Sequence, residues 1–229
     1  MAYLKSFIAL AGVLSAGLTL PAHAAFTAPS WRPASLAEAS ATQTTYQAWD
    51  LFDAPAGPNP PDLAALNPNG QADAYDTSNA SFVTSSGNVY SPTAVISFEA
   101  VVPNYDQGAG YKTEFVVQLR TQGNELDTAS LTLDGVLANT LADYTYIELN
   151  RVVLGGFGGG LVDHRFSFSA TGNAASHTLA WAGAASSVSQ DLIAIDTRAV
   201  LIPEPASIAL LGMLGVLGLR QRVACPERF

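Results

Sequence analysis

The sequence predicts an all-β fold, an antiparallel two-sheet β-sandwich that is jelly-roll-like and flanked by an N-terminal signal helix and a C-terminal hydrophobic helix. Three observations on the 229-residue chain support it. Apolar and polar residues alternate with period two from Phe82 onward, and Gly, Asn and Asp separate the alternating runs at intervals of about nine to fifteen residues. The central part also has no long apolar stripe with helical period. This spacing favours a sandwich over alternating βαβ units.

The N-terminus has the three parts of a secretory signal peptide. Lys5 supplies the positive charge, residues 7–20 form an apolar segment, and residues 22–24, Ala-His-Ala, provide the small residues of a cleavage site. We therefore predict a signal peptide over residues 1–24, removed by cleavage at its end.

Two segments before the main strands lack the periodicity of regular structure. Residues 25–41 are rich in Ala, Ser, Pro and Thr, which predicts a flexible leader ahead of a domain spanning 42–200. Residues 54–69 contain five prolines, which exclude a helix interior and a central strand, although residues 61–66 could form one helical turn. The first strand is predicted between them, at residues 45–52.

Alternation defines the other strands of the predicted domain. Every second residue of 94–102 is apolar, and residues 112–120 repeat the pattern. The loop at 103–110 is rich in turn residues, so a β-hairpin is predicted there. The remaining predicted strands are 129–133, 144–154, 162–170, 177–182 and 188–200. The total is about eight or nine strands, which suits a sandwich.

The predicted mature body, residues 25–202, is acidic and free of cysteine. It has 17 acidic and 6 basic residues, a charge of about −11. Such a field repels nucleic acid, so no nucleic-acid partner is expected, and it repels acidic polysaccharide unless divalent cations intervene. The single cysteine, Cys225, lies in the tail, so the body has no disulfide and its stability depends on its core.

No motif in the body predicts catalysis. Its two histidines, His164 and His177, share strand parity with apolar residues, so both are expected to face the core with hydrogen-bond partners. Residues 155–160 are rich in glycine but lack the Gly-Lys-Ser/Thr end of a phosphate loop, which indicates a tight connection. Solvated outer faces are expected for the carboxylates on predicted strands, Asp163, Glu148, Glu114 and Glu99. We therefore do not expect an enzyme.

One loop places hard oxygen ligands around a glycine, a pattern that favours Ca²⁺ in extracellular domains. Its side chains are Asn67, Asn69, Asp73 and Asp76. No Glu closes the loop as in an EF-hand, and Asn and Asp are common turn formers, so a turn without metal is the favoured interpretation. No other cofactor is expected.

Exposed aromatic rings are candidates for contact with sugar, because their flat faces cover the apolar side of a pyranose. Tyr144 and Tyr146 fall on the strand parity opposite Ile147, and Tyr105 and Tyr111 flank a loop. The alternative for all four tyrosines is that they cover a sheet face or a strand end.

The C-terminal segment, residues 201–229, has the pattern of a signal that directs a protein to its location. Its parts, in order, are Pro203-Glu204-Pro205, an apolar run at 206–219, and the arginines Arg220 and Arg222. The run of 14 residues would measure about 21 Å as a helix, shorter than the roughly 30 Å hydrocarbon core of a membrane. Arginines on its far side predict that they stay in the cytoplasm while the body lies outside the inner membrane.

These parts in this order resemble the PEP-CTERM sorting signal of Gram-negative bacteria that make exopolysaccharide, over about 25 of 229 residues. The resemblance implies an exosortase-type processing enzyme as partner, an intermediate held in the inner membrane by the C-terminal helix, and delivery to the cell surface or extracellular matrix. The tail departs from the usual basic end, because Glu227 dilutes its charge. The alternative is an anchor that is never cleaved.

The sequence leaves three hypotheses for function. The first is an exported, non-catalytic cell-surface or matrix protein that contacts exopolysaccharide. The second is a secreted polysaccharide hydrolase or lyase on the same fold. The third is a structural adhesin that meets a protein partner through a sheet edge.

Overall fold

A computed structural model describes residues 26–155 and 159–203 of the chain. It confirms an all-β fold with two antiparallel sheets. The elements are α1 (Leu36–Thr42), β1 (Thr44–Trp49), β2 (Leu63–Leu66), β3 (Asp73–Asp76), β4 (Phe82–Val83), β5 (Val89–Ser91), β6 (Ser97–Pro103), β7 (Tyr111–Gly123), β8 (Leu126–Leu133), β9 (Val136–Leu137), a 3₁₀ turn (Ala138–Thr140), β10 (Ala142–Val153), β11 (Gly160–Thr171), β12 (Ser176–Gly183) and β13 (Val188–Leu201).

The two sheets differ in size. The small sheet has the order β3-β6-β12-β8-β9, and the large sheet has the order β10-β11-β7-β13-β1-β2. At one end of the large sheet, residues 188–190 of β13 pair with β5, which pairs with β4. Further along, β13 pairs with β1 instead. The large sheet therefore continues past β13 in two directions, through β5 and β4 at one end and through β1 and β2 at the other.

The hydrophobic core lies between the sheets, and we call the side of each sheet that faces it the inner face. Phe98 of β6 stacks on Trp181 of β12 at 5.7 Å, and Phe115 of β7 stacks on Phe168 of β11 at 5.2 Å. All four are at most 3% exposed. Burial of such a side chain stabilises the fold by about 1.5–3 kcal/mol. Further core residues are Trp49, Leu119, Leu131, Leu179, Ile193 and Ile195.

The predicted hairpin at residues 103–110 is wrong, because the two strands that it joins lie in different sheets. Strand β6 pairs with β12 in the small sheet, and β7 pairs with β11 and β13 in the large one. The connection crosses between the layers and is held by the neighbouring loop: the Asn104 amide donates to the Ala175 carbonyl at 2.8 Å. Alternation assigns the two faces of a strand but does not select its partner.

The proline-rich segment also differs from its prediction. Residues 63–66 form the strand β2 at the edge of the large sheet, not a helical turn. An edge position suits a proline-rich neighbourhood, because an edge strand needs donors on one side only.

The segment at residues 25–41 is predicted as a flexible leader, but its described part contains a helix and contacts the large sheet. Ser35 caps α1, and its side chain accepts a hydrogen bond from the Glu38 amide at 3.2 Å. The Arg32 guanidinium donates two hydrogen bonds of 2.6 Å to the buried carboxylate of Asp196 and lies 3.9 Å from the ring centre of Tyr46. These contacts join distant parts of the chain, so local periodicity does not reveal them.

Several predictions concern residues outside the described part of the chain. The signal peptide at 1–24 lies there, as do Glu204, Pro205, Arg220 and Arg222 of the sorting motif, while Pro203 is the last described residue. In the described ranges, we find no helix with the length and apolarity needed to span a membrane.

Candidate functional site

An open cavity of about 660 Å³ lies on the outer face of the large sheet, at the end where β5 and β4 extend it. We call it the polar cleft. Its described lining residues are neutral, and most carry a hydroxyl or an amide: Thr84, Ser86, Asn88, Tyr90, Gln122, Gly123, Asn124, Leu154, Gly155, Ser187 and Ser189.

The floor of the polar cleft is a row of side chains on neighbouring strands. Gln122 of β7 lies opposite Ser189 of β13, and Ser189 lies opposite Tyr90 of β5. Phe82 of β4 lies opposite Tyr90 and continues the row beyond the lining of the cleft. Opposite residues of an antiparallel pair project from the same face. The flanking residues Val89 and Val188 belong to the core, so the row projects outward.

The walls of the cleft are turns held by backbone hydrogen bonds. In the 84–88 turn, the Thr84 amide donates to the Asn88 carbonyl at 2.8 Å. On the opposite wall, the Asn124 amide donates to the Ser187 carbonyl at 3.0 Å. Gly123 has a φ of 98°, and a Cβ at this position would overlap the Ser187 carbonyl oxygen, so glycine is required. The cleft is therefore shaped by the backbone as well as by its side chains.

Tyr90, the aromatic residue of the cleft lining, is partly exposed and packs against Phe82, which lies next to the cleft. The two rings meet edge-on at 5.7 Å. Edge-to-face packing holds both rings in place. A ring that is held while part of its surface stays open can stack on a sugar without first becoming ordered.

Ser189 lies at the centre of the floor with an unsatisfied hydroxyl. The residue is 6% exposed, and its Oγ has no hydrogen-bond partner among the described residues. A buried hydroxyl without a partner costs about 1–3 kcal/mol.

The tyrosines predicted from the sequence lie elsewhere, in two separate places. Tyr144 and Tyr146 lie on the inner face of β10, where Tyr144 packs against the core and the Tyr146 ring lies 5.1 Å from that of Phe166. Tyr105 donates from its hydroxyl to the Ala39 carbonyl at 2.7 Å. Tyr111, half-buried, begins β7 at the end of the strand opposite the polar cleft. Sequence reasoning missed Tyr90, because β5 has only three residues.

Both histidines are buried and hydrogen-bonded, which confirms their predicted place in the core. His164 is 1% exposed, lies 3.1 Å from the Tyr146 hydroxyl through Nδ1, and lies 3.3 Å from the Thr121 hydroxyl through Nε2. Burial lowers the pKa of His164 below its ordinary value. A neutral imidazole is thus favoured in this position.

His177 takes part in an arrangement that resembles a catalytic triad. Its Nδ1 lies 2.8 Å from an Asp134 carboxylate oxygen, and its Nε2 lies 3.5 Å from the Thr113 hydroxyl. Thr113, however, is fully buried, and its hydroxyl donates to the Gly172 carbonyl at 3.1 Å. A nucleophile must reach substrate and give its proton to the base, so this geometry favours a structural network that anchors the loops.

The four carboxylates considered for glycoside hydrolysis each have a separate partner. Glu148 accepts from Arg151, which lowers the pKa of Glu148. The other three pairs are Asp163 with Arg120, Glu114 with Arg198, and Glu99 with the Tyr75 hydroxyl. The expected solvated position is wrong for Asp163, which is fully buried with Arg120. Where a second carboxylate is near, a cation lies between the two: Arg151 pairs with both Glu148 and Glu125, and Lys112 pairs with both Glu114 and Asp143.

Asp50 and Asp62 form a carboxyl pair in direct contact. Their mutual hydrogen bond, with partial burial, raises the pKa of Asp50 to about 6. Asp62 also accepts from the backbone amides of Asp50 and Leu51, each at 3.0 Å. Carboxyls in direct contact are closer than the about 5–10 Å that glycosidases use. This pair is better suited to holding the turn after β1.

The calcium candidates do not converge on one point. Asp73 and Asp76 are three residues apart on β3, so they project from opposite faces. Asp73 accepts from the Asn59 amide at 2.6 Å, and Asp76 accepts from the Ser97 amide at 3.0 Å. Asn67 accepts from the Asn69 amide at 2.9 Å, as in an Asx turn. No cluster of three or more ionisable ligands suited to a metal occurs in the ranges that the structure covers.

The polar cleft combines an aromatic surface with neutral hydrogen-bonding groups, which suits a ligand with apolar faces and many hydroxyls. No family model, curated protein or solved structure matches the chain. The chemistry of the cleft is therefore the main guide to function.

Proposed function

We propose that the protein is an exported, non-catalytic cell-surface or matrix protein that binds a neutral segment of exopolysaccharide in the polar cleft. The observation that carries the proposal is the lining of the cleft, in which hydroxyl and amide side chains surround Tyr90. A pyranose ring offers hydroxyls at its edge and an apolar face, which match these two kinds of group.

The charge of the protein restricts which polysaccharide can bind. The predicted body has 17 acidic against 6 basic residues, so an acidic polymer is repelled as it approaches. The described lining of the cleft has no cation that could offset this repulsion by pairing with a uronate or sulfate group. A neutral segment is not repelled by the net charge of the protein and needs no cation in the cleft.

Replacing Tyr90 with Ala is expected to weaken retention of the full chain on the host's exopolysaccharide at least about 10-fold, because loss of a stacked ring costs about 1.4 kcal/mol or more. Affinity electrophoresis through gels containing the polysaccharide would measure the change. Tyr90→Phe keeps the ring and should bind within about 3-fold of the native protein.

The control for this test is Tyr111→Ala, since Tyr111 is an aromatic residue predicted from the sequence that lies outside both the cleft and strand β10. Circular dichroism of each variant would establish that the fold is intact. Equal retention of folded Tyr90→Ala and native protein, or loss of retention only in Tyr111→Ala, would refute binding in the polar cleft.

We also propose the export and sorting route that the two ends of the chain predict. The native protein should occur as a species that begins at Ala25 and ends near Pro203, with cleavage dependent on the host's exosortase. Intact mass after cell fractionation would test this in strains with and without that enzyme. A species that keeps residues 206–219 in both strains would show instead that the tail is an uncleaved anchor.

The finer parts of the fold prediction belong to the same proposal. The nested pairing of β1 with β13, β6 with β12 and β7 with β11 supports a jelly-roll-like strand order. The two flanking helices are proposed from the sequence alone. The hydrolase alternative is less favoured, because the carboxylates described above are engaged in ion pairs and turns.

A further inference from the structure

Strand β10 is an edge of the large sheet that keeps a long row of apolar side chains in solvent. It runs for 12 residues, and its one partner among the described strands is β11. Ile147 is 54% exposed, Val152 is 41% exposed and Val153 is 81% exposed. An edge strand presents unpaired main-chain groups that can pair with another chain, and charges, prolines, β-bulges or a covering segment can limit such pairing.

A β-bulge determines which side chains of β10 share a face. Glu148 lies opposite His164 and Asn150 lies opposite Asp163, so Leu149 is the extra residue. The bulge reverses the alternation, with the result that Glu148 and Arg151 project from the same face although they are three residues apart. Ile147 and Val152 project together from the other face for the same reason.

This pattern makes β10 complementary to itself. Antiparallel pairing of two copies, centred between Leu149 and Asn150, would place Glu148 opposite Arg151, Ile147 opposite Val152, and Tyr146 opposite Val153 of the second copy. Each pair joins residues on the same face, and it joins opposite charges or two apolar groups. Arg151 already pairs with Glu148 and Glu125 within one copy, so the charges of a second copy extend an existing cluster. The apolar pairs, worth about 0.2–1 kcal/mol each, and the main-chain hydrogen bonds therefore provide most of the stabilisation.

We propose that two copies of this chain pair antiparallel along β10 and join their large sheets into one continuous sheet. The complementarity of charge and apolarity favours a second copy over an unrelated strand, because one register satisfies all three pairs at once. The dimer axis stands perpendicular to the sheet.

The proposed arrangement would affect binding, a consequence that depends on the proposed function. An axis perpendicular to the sheet leaves both outer faces on the same side, so the two polar clefts open in the same direction. One long polysaccharide could then occupy both clefts, and bivalent binding can raise apparent affinity by about 10²–10⁴-fold.

Cross-linking tests the register directly in full chains carrying Cys225→Ser, which removes the single native cysteine. Ile147→Cys and Val152→Cys variants are treated with a short bismaleimide, first separately and then mixed. In the proposed register, position 147 of one copy lies opposite position 152 of the other, with Cβ atoms about 5 Å apart. The two copies of position 147 are offset by five residues along the strands, a distance of about 17 Å. We expect dimers in the mixture at several times the yield of either variant alone. No excess in the mixture would overturn the register.

Sedimentation of the full chain tests the dimer without chemical modification. Val152→Lys introduces a charge opposite Ile147 of the second copy and is expected to weaken association at least about 10-fold, whereas Val95→Lys, at a residue 45% exposed and outside β10, should leave it unchanged. A monomeric native protein, or equal association of both lysine variants, would overturn the proposal. Binding of a short oligosaccharide that fills one cleft should be the same in Val152→Lys, which separates failure of the dimer from failure of the cleft.

Discussion

Asp163→Ala is expected to lower the free energy of unfolding by about 3–5 kcal/mol, as is usual when one partner of a buried ion pair is removed. Arg120 donates to Asp163 from Nε at 2.6 Å and from Nη2 at 3.1 Å, and the two residues are 5% and 0% exposed. The substitution leaves the guanidinium buried beside Asp191, whose Oδ2 lies 4.0 Å from the Arg120 Nε. Urea denaturation at neutral pH would measure the loss.

Two further variants separate the ion pair from a general effect of charge. Asp106→Ala removes an exposed carboxylate and should change stability by at most about 0.5 kcal/mol. The double variant Arg120→Met, Asp163→Leu should recover most of the loss, because apolar residues of similar volume avoid the cost of burying charge. A loss below about 1 kcal/mol in Asp163→Ala would contradict burial of this pair.

The long strands could be predicted from the sequence because each has enough residues to show alternation. The last was predicted at residues 188–200 and found at Val188–Leu201. Strands β2 to β5 have only two to four residues in a segment rich in turn formers, which is too short for a period to appear. Strand pairing could not be predicted from local sequence, because packing between distant segments determines which strands pair. The wrongly predicted hairpin at 103–110 is an example.

The same limit of local sequence patterns applies to the candidate site residues, as the histidines and the polar cleft show. His164 and His177 lie on long strands, so parity placed them correctly. Tyr90, by contrast, lies on a three-residue strand, and its proposed role depends on β13, which brings Ser189 beside it. The lining of the cleft comes from segments as far apart as Thr84 and Ser189, and no local motif links them.

Gly123→Ala is expected to destabilise the protein by about 2–3 kcal/mol and to weaken retention on polysaccharide at least about 10-fold. A side chain there would be strained at a φ of 98° and would overlap the Ser187 carbonyl oxygen. That carbonyl accepts the Asn124 amide, so its displacement moves two lining residues of the cleft. Thermal unfolding and affinity electrophoresis of the same preparation would measure both effects.

Gly135→Ala is the matched control for this steric argument. Its φ is 79°, but a Cβ at Gly135 would meet nothing within 4 Å, so the variant has the backbone strain without the overlap. We expect it to lose about 1 kcal/mol, the cost of a side chain in the left-handed region, and to keep full retention, because Gly135 lies outside the cleft. Equal effects of the two substitutions would show that Gly123 matters only for its positive φ. A loss of retention confined to Gly123→Ala would show that the close approach of the two backbones determines the shape of the polar cleft.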